Sequence, residues 1–535
     1  MMNPPNVTVT EQPPTVAVPP RRAVESRDPV TGEVWKRWES ADAAQVAAAV
    51  ARARAAQPAW AARAPAERAA VIRRFRAVLL RRAEEVAGII TREAGKPLAD
   101  AIGADVTVSL DFADWIARTA PRFLRSEWRG VAGLTMWRKR VRTERTPLGV
   151  IGIIAPWNYP FFLPTSCVLP AVACGNAAVL KPSEFTPASA AILEDLFREA
   201  GLPEGVLQVV QGDGVTGAAL VRAGVDKMMF TGGATAGRAV AVACAEQLIP
   251  CSLELGGSDA AIVLADADVR HAADGIAWTR FSNAGQTCVA PKRVFVEAPA
   301  HDAFVEALGR AVRALRVGEG ASADTEVGPL IRPHAAATIR AQRDDALALG
   351  ARVAAVAQAP EGEAFVAPTV LVDVDQRMRV LREETFGPLL PVVKVRDADE
   401  AVARANASDY GLSASVWTRD RARGLAVARR LQAGTVLLND AMAVVGMADV
   451  PYGGVKQSGL GRMHGVAGLE DCVRSTPIVD DRFATWHQPW WFGYGADHVA
   501  SLRAYQRFAH GSTLGERLGG LLGTIRMVLA KKGRA

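Results

Sequence analysis

Hydrophobic and polar positions along this chain change rhythm twice. Between Ser40 and about Arg118, apolar residues recur every three to four positions among Ala, Arg and Glu, as in the run from Pro65 to Ala83, which predicts amphipathic helices. From Val150 the texture becomes short β-rich runs separated by helical stretches: Val150 to Ala155, Ala177 to Leu180, Leu207 to Val210 and Lys227 to Phe230. The same pattern resumes after Glu254, with Ala260 to Leu264, Arg293 to Val296, Leu390 to Val395, Ser413 to Trp417 and Thr435 to Leu438. Short apolar strands alternating with helices predict βαβ units around buried parallel sheets. The fold class is α/β, with two halves joined near Glu254.

Three segments stand outside that rhythm. Met1 to Arg22 is polar and Pro-rich with no apolar core, so it reads as a disordered arm and not as a signal peptide. Trp137 to Thr146 alternates large and charged residues and predicts a projecting hairpin. After Asp480, Trp486, Trp490, Trp491, Phe492 and Tyr494 crowd together. Leu514, Leu518, Leu521, Leu522, Ile525, Val528 and Leu529 then follow at helical spacing, with Arg517, Arg526, Lys531 and Lys532 among them. Two readings of this tail stand side by side: a helix lying in a membrane interface, and a tail packed across its own subunit or a neighbour.

At 535 residues, half of them hydrophobic, the chain can bury a large core and holds several folding units of about 150 residues each. Its six cysteines include no CxxC pair and no His/Cys cluster, which argues against a metal site and a disulfide framework and for a reducing compartment. The net charge of +7 is mostly Arg dispersed among Ala, not gathered in a stripe with aromatics, so nucleic acid is not the expected partner. No stretch has the apolar length of a spanning helix, and the expected location is cytoplasmic, with peripheral membrane contact through the tail left open.

One cysteine differs from the rest. Cys167, Cys174 and Cys244 lie among Ala, Val and Leu, where a thiol is a small buried hydrophobe. Cys288 ends the polar run from Phe281 through Gly285, Gln286 and Thr287, at a bend between a helix and a strand, where a thiol is exposed and reactive. Glu254 interrupts the apolar run Cys251 to Leu255 and is followed by Gly256 and Gly257, which let a ligand approach; it is a candidate general base. Asn158, after Pro156 and Trp157, offers an amide donor at a strand end. The segment Phe230 to Gly237 joins a strand to a helix and suits a dinucleotide phosphate, although it lacks the spacing of the usual glycine fingerprint.

Taken together, seven motifs occur in family order: Pro156-Trp157-Asn158, Lys181-Pro182-Ser183-Glu184, Phe230-Thr231-Gly232, Glu254-Leu255-Gly256-Gly257, Gly285-Gln286-Thr287-Cys288, Glu384-Thr385-Phe386-Gly387-Pro388 and Lys456 through Arg462. From about residue 25 to 480 the chain resembles the aldehyde dehydrogenase superfamily, of the NAD(P)-dependent, non-acylating kind. The resemblance implies two Rossmann-like α/β domains, a small β oligomerisation element and a C-terminal helical extension. The implied division is 1–22 as the disordered arm, 23–124 and 148–254 as the NAD-binding domain, and 255–456 as the catalytic domain. It continues with 125–147 and 473–485 as the oligomerisation element, and 486–535 as the Trp-rich amphipathic extension.

The same resemblance implies that Cys288 attacks the aldehyde carbon and that Asn158, with the Cys288 backbone N–H, holds the oxyanion. Glu254 then activates the water that hydrolyses the thioester. Trp157, Lys181, Ser183, Glu184, Gly212 and Thr231 are implied in cofactor binding. So are Gly232, Gly233, Gly237, Leu255, Glu384 and Phe386. Glu184 beside the adenosine ribose would repel a 2′-phosphate, so NAD is expected, with NADP left open. No metal is expected. Two positions depart from the family pattern: Gly233 stands where many relatives have Ser, and Met463 where many have Glu, which puts more of the deacylation on Glu254. The segment Phe161 to Cys167 is uncharged and points to an apolar aliphatic or aromatic aldehyde, unless these side chains only pack a helix. The expected assembly is a homodimer or homotetramer. The competing functions are a CoA-acylating aldehyde dehydrogenase, against which Glu254 argues, and a non-catalytic homologue, against which the intact Cys288, Glu254 and Asn158 argue.

Overall fold

The computed structural model describes residues 23–133, 136–483, 488, 490–492 and 494–529. The expected N-terminal arm, Trp486, Lys531 and Lys532, and the side chains of Val528 and Leu529 lie outside the described residues.

The Ala/Arg/Glu-rich stretch folds into helices for the reasons its periodicity gave. In Pro65–Arg81, proline occupies the first turn, the Glu67 carboxylate accepts from the Ala64 N–H at 2.8 Å, and Ala69, Ile72, Phe75 and Leu79 form the buried stripe. Phe75 stacks on Phe197 at 4.1 Å between ring centres. Burying such a side chain stabilises the fold by about 1.5–3 kcal/mol.

Two parallel sheets form the body. The first orders its strands Gly459–Leu460, Cys251–Glu254, Lys227–Thr231, Val150–Ile154, Ala177–Lys181, Leu207–Val209, all parallel except the first. Every residue of Val150–Ile154 is buried, as its unbroken apolar run requires of a central strand. The chain winds outward from this strand to Leu207–Val209 and then crosses to its other side at Lys227–Thr231, so the sheet has a switch point between Val150–Ile154 and Lys227–Thr231. The second sheet runs Arg352–Val356, Thr369–Val372, Leu389–Val395, Pro291–Glu297, Asp259–Val263, Ser413–Trp417, Thr435–Leu438, and only Arg352–Val356 is antiparallel. The two halves therefore meet at Glu254, but Gly459–Leu460 returns from the far end of the chain to cap the first sheet opposite Glu254.

The segment Trp137 to Thr146 is not a self-contained hairpin. Its strand, Lys139–Pro147, pairs over its whole length with Val473–Asp481, from Val473 opposite Pro147 to Asp481 opposite Lys139, and among the described residues only Arg129–Gly130 pairs with it locally. The charges that disguised it form cross-strand pairs, Arg140 with Asp480 at 2.7 Å and Lys139 with Asp481 at 2.8 Å.

The tail forms two helices, Ala496–His510 and Leu514–Leu529, packed on each other. The second begins at a capping box in which Thr513 Oγ1 accepts from Glu516 N and the Glu516 carboxylate accepts from Ser512 N and Thr513 N. Small residues form the contact: a Cβ at Gly523 would lie 2.4 Å from that of Ala504. Leu514, Leu518, Leu522 and Ile525 consequently face outward, Leu514 at 75% and Leu522 at 74% exposure. Upstream, Trp490 sits over Lys139 and Trp137 packs with Phe483, so the start of the tail docks on its own subunit while the helices pair with each other.

Candidate active site

The carboxyl ends of the first sheet's strands gather most of the singled-out residues. Register pairs Ile154 with Phe230 and Lys181, and Thr231 with Glu254, so the segments following these residues emerge side by side. Cys288, Gly256 and Glu384 arrive from the opposite direction: each precedes a strand of the second sheet, Pro291–Glu297, Asp259–Val263 and Leu389–Val395 respectively. The carboxyl edge of one sheet thus faces the amino edge of the other across a cleft.

Two adjoining chambers occupy that cleft. One, of about 440 Å³, lies at the switch point and is lined by Pro156, Trp157, Lys181, Ser183, Glu184, Thr231, Gly232 and Gly233, with Phe185, Gly217 and Ala239. The other, of about 240 Å³, shares Trp157, Thr231, Gly232 and Gly233 and adds Asn158, Leu163, Glu254, Leu255, Gly256, Cys288, Glu384 and Phe386.

The thiol is presented by an unusual turn. Asn283, Ala284 and Gly285 all adopt left-handed conformations, at φ of 51°, 54° and 74°. For the two non-glycine residues this costs about 1–2 kcal/mol each, offset by specific contacts. Asn283 N donates to the Asp100 carboxylate at 3.0 Å, and its side-chain amide donates to the Asn158 carbonyl at 2.9 Å. A Cβ at Gly285 would meet the Gly387 carbonyl at 2.5 Å, so only glycine fits. Lys292, buried in the following strand, donates to the Thr287 carbonyl at 2.8 Å and to that of Cys288, and lies 3.7 Å from Glu384.

Cys288 is half-buried, and its Sγ lies 3.6 Å from the Tyr452 hydroxyl. Burial pushes the thiol up to about 11, opposed by the Lys292 ammonium and the Tyr452 hydrogen bond. The Asn158 amide nitrogen donates one hydrogen to the Gln286 carbonyl at 3.0 Å, which orients the group and leaves its second hydrogen for another acceptor. Glu254 is buried, and among the described residues no side chain hydrogen-bonds its carboxyl, which faces the Gly454 backbone N–H. Burial holds its pKa well above the usual carboxylate range, with Arg462 pulling down, Asp471 pushing up and the Gly454 N–H pulling down.

The larger chamber fits a dinucleotide. The helix Ala234–Glu246 starts at Gly233 with no side-chain cap, so its first N–H groups are left for an anion. Lys181 and Glu184 form a 3.4 Å ion pair on the chamber wall, and burial lowers the lysine's pKa. Glu384 accepts from Gly257 N at 3.0 Å, and a Cβ at Gly256 would stand 2.1 Å from its other oxygen, so the bare backbone makes room for this carboxylate. Trp157 and Phe386 meet edge to face at 5.5 Å where the chambers join.

Two predicted cofactor residues lie outside both linings. At Gly212 the Thr216 side chain occupies the space a Cβ would need, and at Gly237 the Leu255 side chain does, so both allow close packing next to the cleft. Of the segment Phe161 to Cys167 only Leu163 lines the smaller chamber; the others are buried in or beside the helix Phe162–Ala173. The sequence reading missed Arg280, Lys292 and Tyr452. Arg280, fully buried, donates to the carbonyls of Thr385, Gly387 and Leu389 and so fixes the Glu384–Phe386 loop. Lys292 opens a strand beside Arg293 and Arg280 closes a helix that carries other polar residues, so neither stood out in the sequence, and nor did Tyr452.

A family model described as the aldehyde dehydrogenase family matches residues 17–478. A 4,4'-diapolycopene aldehyde oxidase from a Methylomonas species is 38% identical over 436 residues, 81% of each chain. A succinate-semialdehyde dehydrogenase [NADP(+)] from Deinococcus radiodurans is 39% identical over 455 residues, 84% of this chain and 93% of that one. Among solved structures, an aldehyde dehydrogenase of Mycobacterium tuberculosis complexed with NAD+ superposes with a TM-score of 0.81 at 36% identity, covering 85% of this chain and 94% of its own.

Proposed function

The chain belongs to the aldehyde dehydrogenase family, and from that premise we propose that it oxidises an aldehyde to its carboxylic acid through a covalent thioester on Cys288, with NAD(P) as hydride acceptor. The observation that carries this reading is the convergence of Cys288, the Asn158 amide and the buried Glu254 carboxyl on one chamber that opens into a second, larger one at the switch point of the first sheet.

The Cys288 thiolate attacks the aldehyde carbon, forming the C–S bond and an oxyanion. The free Asn158 N–H and the Cys288 backbone N–H are the donors for that oxyanion, each worth about 3–4 kcal/mol of barrier in comparable sites. When bound, the nicotinamide supplies the acceptor for the hydride leaving the same carbon, and a thioester results. Glu254 takes a proton from water as its oxygen attacks the thioester, and the C–S bond breaks to return the thiolate. Glu254 also sets this reading apart from the CoA-acylating one, in which no base for water is needed.

The smaller chamber supports an uncharged substrate. Its only ionisable carboxyls are Glu254 and Glu384, and neither Lys nor Arg lines it among the described residues, so a carboxylated aldehyde would meet no cation there. Glu184 on the wall of the larger chamber supports NAD over NADP. Initial rates with uncharged aliphatic and aromatic aldehydes beside succinate semialdehyde, each with NAD and NADP, test both points. The expected order is apolar above carboxylated, and NAD above NADP by ten-fold or more, because about 1.4 kcal/mol of charge repulsion is ten-fold. The reverse order in either comparison refutes the corresponding choice.

Residues 23–124 with 148–254 are proposed as the cofactor-binding unit, 255–456 as the catalytic unit, and 125–147 with 473–485 as the oligomerisation element. No helix among the described residues is long and apolar enough to cross a membrane. The outward leucines of Leu514–Leu529, the exposed Trp491 and Phe492, and seven Lys or Arg against two Asp or Glu from Trp486 onward support peripheral contact with an anionic bilayer. Sedimentation and liposome flotation of the full chain and one ending at Phe483 test both ideas. Both chains should sediment as dimers or tetramers, and only the full chain should float with anionic vesicles. Monomers, or equal flotation, would count against them.

A further inference from the structure

Tyr452 lies far along the chain from Cys288, yet its hydroxyl is one of the polar groups touching that sulfur. The 3.6 Å separation suits an O–H donating to a large sulfur acceptor. Several contacts hold the phenol in place. Tyr452 N donates to the Met463 carbonyl at 2.8 Å and Met463 N donates back at 2.7 Å, which pins the backbone. The Tyr452 ring stacks on His464 at 5.3 Å and 22°, and His464 packs edge-on against Phe112 at 4.6 Å. His464 is held in a left-handed conformation, at φ of 57°, and burial depresses its pKa to about 3, so a neutral ring backs the phenol.

The next residue reaches the other half of the machinery. A Cβ at Gly453 would lie 2.8 Å from Glu254 Oε1, so one short loop touches both the sulfur and the carboxyl proposed as base. Around Cys288, the charged and titratable groups are Lys292 from the strand that follows it, Asp259 from the neighbouring strand, Glu384 from the loop before Leu389, Tyr159 from the segment after Val150–Ile154, and Tyr452. Glu254 also faces Tyr452. Of these, Lys292 and Tyr452 favour the thiolate and the carboxylates oppose it. Lys292 is already engaged by two backbone carbonyls, which leaves Tyr452 as the donor aimed at the sulfur itself.

On the reading of Cys288 as nucleophile, we infer that Tyr452 is a positioning residue whose hydroxyl donates to the Cys288 thiolate, stabilising it over the thiol and holding it at the mouth of the chamber. Burial keeps the phenol protonated across the working range, so it is the donor whenever the sulfur is ionised. A hydrogen bond to a charged group of this kind corresponds to roughly ten-fold or more in the ionisation equilibrium.

The test is the pH profile of Cys288 alkylation by iodoacetamide, read by mass on the peptide that carries it, in the full-length enzyme. In Tyr452→Phe, alkylation should be about ten-fold slower at pH values below the midpoint and reach the same plateau at high pH. The first-turnover rate of NADH formation should follow the same displacement while NAD affinity stays unchanged. Placing 3,5-difluorotyrosine at 452, which preserves shape and strengthens the donor, should move the profile the opposite way, and it keeps the test decisive if the phenylalanine variant folds poorly. Superimposable profiles for wild type and both variants would overturn the inference. A Cys288→Ala enzyme that still forms NADH would remove the nucleophile reading on which it rests.

Discussion

Cys288→Ala is expected to abolish aldehyde-dependent NADH formation, with turnover falling by roughly five orders of magnitude or more, because loss of a covalent nucleophile forfeits both chemical steps at once. The five other cysteines offer no substitute. Cys167, Cys174, Cys244 and Cys472 are buried, and Cys251 opens the strand that ends in Glu254, outside both chambers. The loss should leave the fold intact. Cys288 is only half-buried, and its loop is held by backbone and neighbouring side chains: Asn283 on Asp100, Lys292 on the carbonyls of Thr287 and Cys288, and Gln286 Oε1 accepting from Ile331 N at 2.9 Å. NAD titration and thermal unfolding of the variant check this separation. Binding and stability near wild type with no turnover are expected.

Glu254→Gln separates the two halves of the reaction. Its carboxyl lines the chamber and bonds no side chain, and an amide oxygen can still accept from the Gly454 N–H, so acylation and hydride departure should proceed and release about one NADH per active site. Hydrolysis then lacks its base, and the steady-state rate should fall by about 10²–10⁴-fold. Burial raises both the Glu254 carboxyl and the Cys288 thiol, and each must lose its proton to act, so wild-type turnover should rise with pH through both ionisations. The burst, which precedes hydrolysis, should follow the Cys288 ionisation alone, and the Glu254 ionisation should vanish from the steady-state profile of the variant. Stopped-flow absorbance across pH reads both, and a Glu254→Gln enzyme turning over at the wild-type rate would remove the assigned base.

Much of this architecture is written locally. The strands that carry Asn158, Lys181 and Thr231 are continuous apolar runs, and their side-by-side emergence follows from parallel register, so a sequence with these runs already implies a cleft at their ends. Arg352–Val356 escaped notice because it is an Ala-rich edge strand with mostly exposed residues. The resemblance grouped 125–147 with 473–485, but the residue-by-residue pairing of Lys139–Pro147 with Val473–Asp481 could not be read locally, because the two strands lie more than three hundred residues apart and their charges hide the alternation. Within the site, single-residue anomalies such as Glu254 and Cys288 were legible as chemistry out of place. The supporting groups were not. Tyr452 meets Cys288 across 164 positions, and Lys292 and Arg280 act by satisfying carbonyls that become neighbours only after folding. Periodicity also could not separate a helical side chain facing the chamber, Leu163, from the neighbours that pack behind it.

The most direct measurement is the mass of the protein quenched during the burst. Glu254→Gln mixed with excess NAD and an uncharged aldehyde should gain the mass of the aldehyde less one hydrogen atom's worth of hydride and the thiol proton it replaces, located on the peptide that contains Cys288. An enzyme that makes its burst of NADH with that peptide unmodified, or with the acyl group on another residue, would contradict the account.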